Sequence, residues 1–113
     1  MIESPHMQAL ARYLDLLATR EGVVAANLAN VDTPGYRTRD LDFSAEVRRA
    51  LNGEPGPGAV REVRGLLERA DGNNVSVDRE SLLLADTQLR FRLATQLLRA
   101  EFARLKTAIN EGR

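Results

Sequence analysis

The sequence predicts a mainly α-helical protein in which two long N- and C-terminal helices pair as an elongated antiparallel helical hairpin or coiled coil. Apolar residues recur at spacings of three and four near both ends of the chain, as they do on one face of a helix. Glycine and proline interrupt this pattern in the middle, where we expect a short irregular segment with room for some β structure. A chain of 113 residues has the length of one domain. The expected organisation is a single unit over 1–113, with an N-terminal helix at 5–30, a turn and extended segment at 31–43, a short middle segment with a flexible Gly/Pro loop at 44–77 and a C-terminal helix at 78–110.

The N-terminal helix has clear start and stop signals. Ser4 followed by Pro5 predicts an N-cap and the first helical position. The helix should end near Asn30, because the residue before Pro34 is driven towards extended geometry and Gly35 permits a positive φ. The apolar stripe between these signals consists of Met7, Leu10, Leu14, Leu17, Val24 and Leu28.

The middle segment gives weaker signals. Phe43, Val47 and Leu51 have helical spacing around Ser44 and predict a short helix. The following Asn-Gly-Glu-Pro-Gly-Pro-Gly run predicts a flexible loop. The stretch 61–70 is compatible either with a helix or with a strand that enters a turn, and an Asp-Gly-Asn-Asn turn follows it.

The C-terminal helix is the longest element that the sequence predicts. Val75 and Val77 alternate with Ser76 as in an extended segment, and Asp78 then predicts the N-cap. A helix of this length is a rod of roughly 50 Å, longer than a compact domain of this size, so the molecule should be elongated. The predicted seam between the two helices consists of Leu10, Leu14, Leu17, Val24 and Leu28 on the N-terminal helix and Phe91, Leu98, Phe102, Leu105 and Ile109 on the C-terminal helix.

A second apolar face lies on the opposite side of the C-terminal helix. It consists of Leu82, Leu89, Leu93 and Leu97. We interpret it as an intersubunit face that other subunits cover, because a single N-terminal helix can cover only one side of its partner. The alternative is that the middle segment folds back over it.

Composition excludes several classes of function. Sixteen basic and sixteen acidic residues cancel, which argues against nucleic acid or an anionic membrane surface as a partner. The absence of cysteine excludes disulfides, zinc–thiolate sites and cysteine nucleophiles. His6 is alone, and Asp40 and Asp42 read as solvated charges, so we expect no catalytic residue, no metal and no cofactor, and the protein is predicted not to be an enzyme.

The chain also lacks membrane and secretion signals. No apolar run approaches the roughly 20 residues that span a bilayer, so no lipid-spanning segment is expected. The first ten residues have neither a basic n-region nor an apolar h-region, which predicts that no signal peptide is cleaved.

Two separated motifs resemble a known family. The segment 26–36, Ala-Asn-Leu-Ala-Asn-Val-Asp-Thr-Pro-Gly-Tyr, is similar to the N-terminal signature of the axial proteins of the bacterial flagellum. The segments 39–43 (Arg-Asp-Leu-Asp-Phe), 71–75 (Asp-Gly-Asn-Asn-Val) and 88–92 (Gln-Leu-Arg-Phe-Arg) resemble those of its proximal rod subunits. The segment between Ser44 and Ala70 looks shorter than is usual in this family. The resemblance therefore does not decide whether the chain has a small β-rich outer element.

The resemblance implies a structural subunit of the proximal rod, which assembles helically and transmits torque from the motor to the hook and filament. Such proteins are exported from the cytoplasm by the flagellar type III apparatus without a cleaved signal peptide, and they assemble in the periplasm. The implied partners are copies of the chain itself, other rod proteins, the export gate, basal-body ring components and a rod-to-ring adaptor. The implied sites are an assembly turn, packed among neighbouring subunits, at Asn27, Asn30, Asp32, Thr33, Pro34, Gly35 and Tyr36, and the start of the C-terminal helix at Asp71, Gly72, Asn73, Asn74 and Asp78.

The sequence also allows an alternative function of another class. Arg92, Arg99 and Lys106 are seven residues apart on one flank of the C-terminal helix. The better interpretation is a solvated flank of an amphipathic helix. The alternative is a cytoplasmic helical adaptor or nucleic-acid-binding regulator that uses these three side chains.

Overall fold

The protein is an elongated helical hairpin with a small antiparallel pair of strands at its side. The computed structural model describes residues 4–54, 56 and 58–112. Its extents are 68 × 24 × 16 Å, so the prediction of a mainly α-helical, elongated molecule is confirmed. The elements in these residues are α1 (Pro5–Ala29), β1 (Arg39–Leu41), α2 (Phe43–Leu51), β2 (Val60–Glu62) and α3 (Val77–Glu111).

Helix α1 begins and ends where its local signals predict. The Ser4 Oγ accepts a hydrogen bond from the Met7 N–H at 3.2 Å, and Pro5 occupies the first turn. At the other end the side chain of Asn30 donates to the Ala26 carbonyl oxygen at 2.8 Å. This bond satisfies one of the carbonyl groups that the end of a helix leaves without a partner.

Helix α3 begins earlier than predicted. Its N-cap is Ser76, whose Oγ accepts a hydrogen bond from the Arg79 N–H at 3.2 Å. The prediction of Asp78 as the cap is therefore wrong, and Val77 is helical rather than extended. Asp78 instead lies in the first turn, where its charge interacts favourably with the positive end of the helix dipole.

Helices α1 and α3 pair antiparallel and in register. Asn27 contacts Glu80 near one end, and His6 lies 3.7 Å from Glu101 near the other, so equal lengths of the two helices separate these contacts. The buried residues of α3 are Glu80, Thr87 and Ala94, spaced by seven. The seam between the helices is therefore more polar, and on α3 made of smaller residues, than the sequence predicts.

The predicted seam residues divide into three groups. Leu17 and Val24 are buried, and Leu10, Leu14, Leu28, Leu98 and Leu105 are partly buried. Phe91, Phe102 and Ile109 are 40, 46 and 50% exposed in the single chain, which differs from the prediction. Since His6 already lies opposite Glu101, the residues of α3 after Glu101 extend past Pro5, and no helix among the described residues packs against them there.

The middle segment packs on α1. β1 and β2 form an antiparallel pair in which Arg39 lies opposite Glu62, and α2 lies against α1. Leu41, Phe43 and Ala50 join Leu16, Leu17 and Ala94 in the apolar core. Leu51, in contrast, is 73% exposed, so the predicted apolar spacing of α2 holds for Phe43 and Val47 but not at its last residue.

Two glycines of the loop after α2, Gly56 and Gly58, form hydrogen bonds to helices α1 and α2. Arg12 donates a hydrogen bond to the Gly56 carbonyl oxygen at 2.7 Å, and Glu46 Oε1 accepts one from the Gly58 N–H at 3.2 Å. The stretch 61–70, for which the sequence allows either a helix or a strand, is regular only where it belongs to β2.

The position of the α3 cap gives a test of helix stability. We expect Ser76→Ala to lower the free energy of unfolding by about 1 kcal/mol, since the Arg79 N–H loses its acceptor. Asp78→Ala should cost only about 0.3 to 1 kcal/mol, through the helix dipole alone. Urea unfolding followed by circular dichroism measures both. A larger loss for Asp78→Ala than for Ser76→Ala would contradict the observed cap.

Candidate assembly site

A fully buried asparagine holds the turn that follows α1. The Asn27 side-chain amide donates to the Arg39 carbonyl oxygen at 2.8 Å and to Glu80 Oε1 at 2.6 Å. Its Oδ1 accepts from the Arg39 N–H at 3.1 Å and from the Tyr36 hydroxyl at 3.2 Å. We call Asn27, Tyr36, Arg39 and Glu80 the asparagine junction. It uses all the hydrogen-bonding capacity of the amide and joins α1, β1 and α3.

Three further charged side chains, Arg79, Asp40 and Arg20, extend the asparagine junction. Arg79 contacts Glu80 Oε2 at 2.6 Å and Asp40 Oδ2 at 3.2 Å, and Arg20 contacts the same Asp40 oxygen at 3.1 Å. Glu80 is 0% and Asp40 8% exposed, and two cations balance the two carboxylates. The interpretation of Asp40 as a solvated charge is therefore wrong. Asp42 is exposed as predicted and caps α2.

The turn that precedes α3 binds the turn after α1 directly. The Asn73 side chain donates to the carbonyl oxygens of Asn30 and Thr33 at 2.9 and 2.8 Å. Asn74 Oδ1 accepts from the Thr38 N–H at 2.7 Å, and the Thr38 hydroxyl donates to the Asn74 carbonyl oxygen at 3.1 Å. Two motifs that are far apart in the sequence therefore form one unit.

Two glycines allow this close approach. Gly35 and Gly72 have φ values of +74° and +87°, which favour glycine. The Gly35 N–H donates to the Asp71 carbonyl oxygen at 2.9 Å. A Cβ atom on Gly72 would lie 3.4 Å from the Gly35 Cα, so the two backbones leave little space for a side chain.

The structure divides the residues predicted for the assembly turn and for the entry to the C-terminal helix into an inner and an outer group. Asn27 of the assembly turn and Asn73 and Asn74 of the helix entry are buried inside the chain, where their polar groups bind this chain itself. Asn30, Tyr36 and Gly72 are partly buried. The residues exposed at the surface are Asp32, Thr33, Pro34, Gly35, Asp71 and Asp78.

An aromatic contact anchors α2 beside the helix pair. The Phe43 ring centroid lies 6.0 Å from the Tyr13 ring centroid. The guanidinium carbons of Arg20 and Arg90 lie 4.8 and 5.6 Å from the Phe43 ring centroid. Hydrogen bonds from Arg90 to the Tyr13 hydroxyl and to Asp86 raise the pKa of the Arg90 guanidinium above its ordinary value.

Sequence reasoning missed the buried charges of this site. Arg20, Arg79 and Glu80 were assigned no role, because hydrophobic periodicity treats charged residues as surface residues. A signal was present, however: Glu80, Thr87 and Ala94 are spaced by seven, as a helix seam requires.

The second apolar face of α3 is open to solvent. Leu82, Leu89, Leu93 and Leu97, the leucine face, are 72, 56, 52 and 60% exposed. The middle segment packs on α1 instead of covering them, so the alternative that it folds back over this face is wrong.

The basic row of Arg92, Arg99 and Lys106 is exposed on one flank of the leucine face. Within residues 4–54, 56 and 58–112, none of the three forms an ion pair. This arrangement agrees with the interpretation of the row as a solvated flank of the single chain.

No helix that the structure describes has both the length and the apolar character that a bilayer span needs. The described part of the chain also brings no three His, Asp or Glu side chains together as metal ligands. The fold, its buried polar junction and its open leucine face define an elongated helical protein with one exposed apolar face.

Comparison with known proteins identifies the family. Residues 7–37, most of α1 and the turn, match the family model described as flagella basal body rod protein. The chain is 30% identical to flagellar basal body rod protein FlgB of Salmonella typhimurium, over 88% of both chains. It is 30% identical to FlgB of Borrelia hermsii, over 87% of this chain and 90% of the relative, and 34% identical to FlgB of Cereibacter sphaeroides, over 92% and 90%. The chain therefore belongs to the FlgB family of flagellar basal body rod proteins.

The asparagine junction gives a sharp stability test. We expect Asn27→Ala to lower the free energy of unfolding by about 3 kcal/mol, because the Tyr36 hydroxyl, both backbone groups of Arg39 and Glu80 lose their partner. Asn30→Ala, one turn away and bonded near the surface, is the matched control and should cost about 1 kcal/mol or less. Urea unfolding gives both values. Equal losses at the two asparagines would show that the junction does not stabilise the fold.

Proposed function

We propose that this protein is a structural subunit of the proximal rod, which assembles helically with other rod proteins and transmits torque from the motor to the hook and filament. Membership of the FlgB family supports a rod role. The elongated shape supports a load-bearing role, because α3 alone runs about 52 Å along the long axis of 68 Å and pairs with α1 over part of that length.

The observation that carries this proposal is the leucine face. Four leucines more than half exposed on one side of a helix are costly in water, since fully burying such a side chain contributes about 1.5 to 3 kcal/mol. A face of this kind on one side of a rod supplies the lateral contact that a helical assembly needs. We assign it to contacts between subunits.

Two further surfaces belong to the same proposal. Phe102 and Ile109 lie on the part of α3 that extends past α1, where a neighbouring subunit could complete the seam. Pro34 and Gly35, with Asp32 and Thr33, form the exposed outer part of the turn and are the part of the predicted assembly turn that remains accessible to neighbours.

The proposed location is the periplasmic rod of the flagellar basal body, reached by export from the cytoplasm without a cleaved signal peptide. The proposed partners are other rod proteins, copies of the chain, the export gate, ring components and a rod-to-ring adaptor. These finer assignments rest on the resemblance of the segments 26–36, 39–43 and 71–75 to flagellar axial proteins.

Charge on the leucine face should prevent assembly. We expect Leu89→Asp with Leu93→Asp to abolish motility and to remove the chain from isolated basal bodies, because two carboxylates cannot be buried in an apolar contact. Immunoblots of basal bodies and swimming assays measure the effect. Circular dichroism should remain near that of the unaltered protein, since both positions are exposed in the single chain.

The control carries the same charges on α2. Ser44→Asp with Asn52→Asp changes two exposed residues near the ends of α2, away from the leucine face and its basic flank, and swimming should persist. Normal assembly of the Leu89→Asp, Leu93→Asp variant would refute the assignment of this face.

A further inference from the structure

We infer that the leucine face of α3 in one copy packs along the outer face of α1 in a second copy of the same chain. The inference rests on the proposed function and deepens it, because it names the partner surface of the leucine face. Neither surface is covered within the single chain.

The outer face of α1 suits a leucine-bearing partner in shape. Its exposed residues at spacings of three and four are Ala11, Asp15, Ala18, Gly22, Ala25 and Ala29. A Cβ atom on Gly22 would meet nothing within 4 Å. Small side chains let another helix approach closely, and leucine side chains can then fill the grooves between them. The two surfaces also agree in length, about 27 Å on α1 and about 22 Å on α3.

Charge supports the same pairing. Asp15 is exposed within the outer face of α1 and Glu21 at its edge, and in the described residues neither carboxylate is engaged in an ion pair or side-chain hydrogen bond. The basic row of Arg92, Arg99 and Lys106 flanks the leucine face and is likewise exposed. Docking the two surfaces brings acidic groups of one copy to basic groups of the next.

The two surfaces differ, so their contact does not close on itself. A copy that uses its leucine face still presents its own α1 to a third copy, which gives an open row of subunits. An antiparallel two-fold contact between two leucine faces would instead place two basic rows side by side, and like charges in contact are unfavourable.

Thiol cross-linking tests this pairing, because the chain contains no cysteine of its own. Two double variants, Ala18→Cys with Leu89→Cys and Ala25→Cys with Leu89→Cys, are expressed in place of the unaltered chain. Isolated basal bodies are treated with a short bismaleimide and separated on denaturing gels. We expect a ladder of dimers and larger products in at least one of them, since each copy can link to the next.

The controls separate this contact from others. Arg48→Cys replaces Leu89→Cys at an exposed position of α2, away from the leucine face and its basic flank, and should give no ladder. Dimers from Leu89→Cys alone, products with another protein only, or no products would each overturn the inference. If the variants are present in basal bodies but form no ladder, the pairing is wrong and the proposed function stands. If the unaltered chain itself is absent from basal bodies, the pairing and the proposed function are both wrong.

Charge reversal gives an independent measurement. Asp15→Arg with Glu21→Arg should strongly reduce the ladder, and so should Arg92→Glu with Arg99→Glu. Combining all four changes in one chain should restore it, because the charges are then complementary in the opposite sense. A ladder that neither reversal weakens, or that the combination fails to restore, would overturn the pairing of these charges.

Discussion

The hydrogen bond from Asn27 to Glu80 is the contact on which the arrangement of the chain depends. Glu80 is a fully buried carboxylate, and its two oxygens bind the asparagine and Arg79. Through Asn27 it fixes Arg39 at the start of β1, and through Arg79 it fixes Asp40. One polar network thus sets the register of the two long helices and the position of the strands beside them.

Placing the polar network inside the chain leaves the apolar surface outside. The seam of α3 is occupied by Glu80, Thr87 and Ala94, and the middle segment covers α1 rather than α3. The leucine face therefore has no partner within the described residues. For a rod protein this division is useful, because buried polar contacts specify the fold of one subunit while apolar contacts remain for its neighbours.

Local signals made α1 and the elongated hairpin predictable, whereas tertiary contacts decided the rest. Ser4 acts through its capping side chain, and Pro5 and Pro34 act through backbone geometry. Together they fix the ends of α1 within a residue or so. Ser76 and Asp78 are both good N-caps, and local sequence does not choose between them. Periodicity found the leucine face but also placed Phe91 in the seam, because it cannot anticipate that buried ion pairs and small residues take that position.

In the proposed rod, the leucine face becomes buried between subunits while the asparagine junction stays within each one. Hydroxyl-radical footprinting of the free chain and of isolated basal bodies measures the exposure of individual leucines directly. We expect oxidation of Leu82, Leu89, Leu93 and Leu97 to fall strongly in basal bodies, with the buried Leu17 low in both samples. Equal oxidation of the four leucines in the two samples would contradict the account.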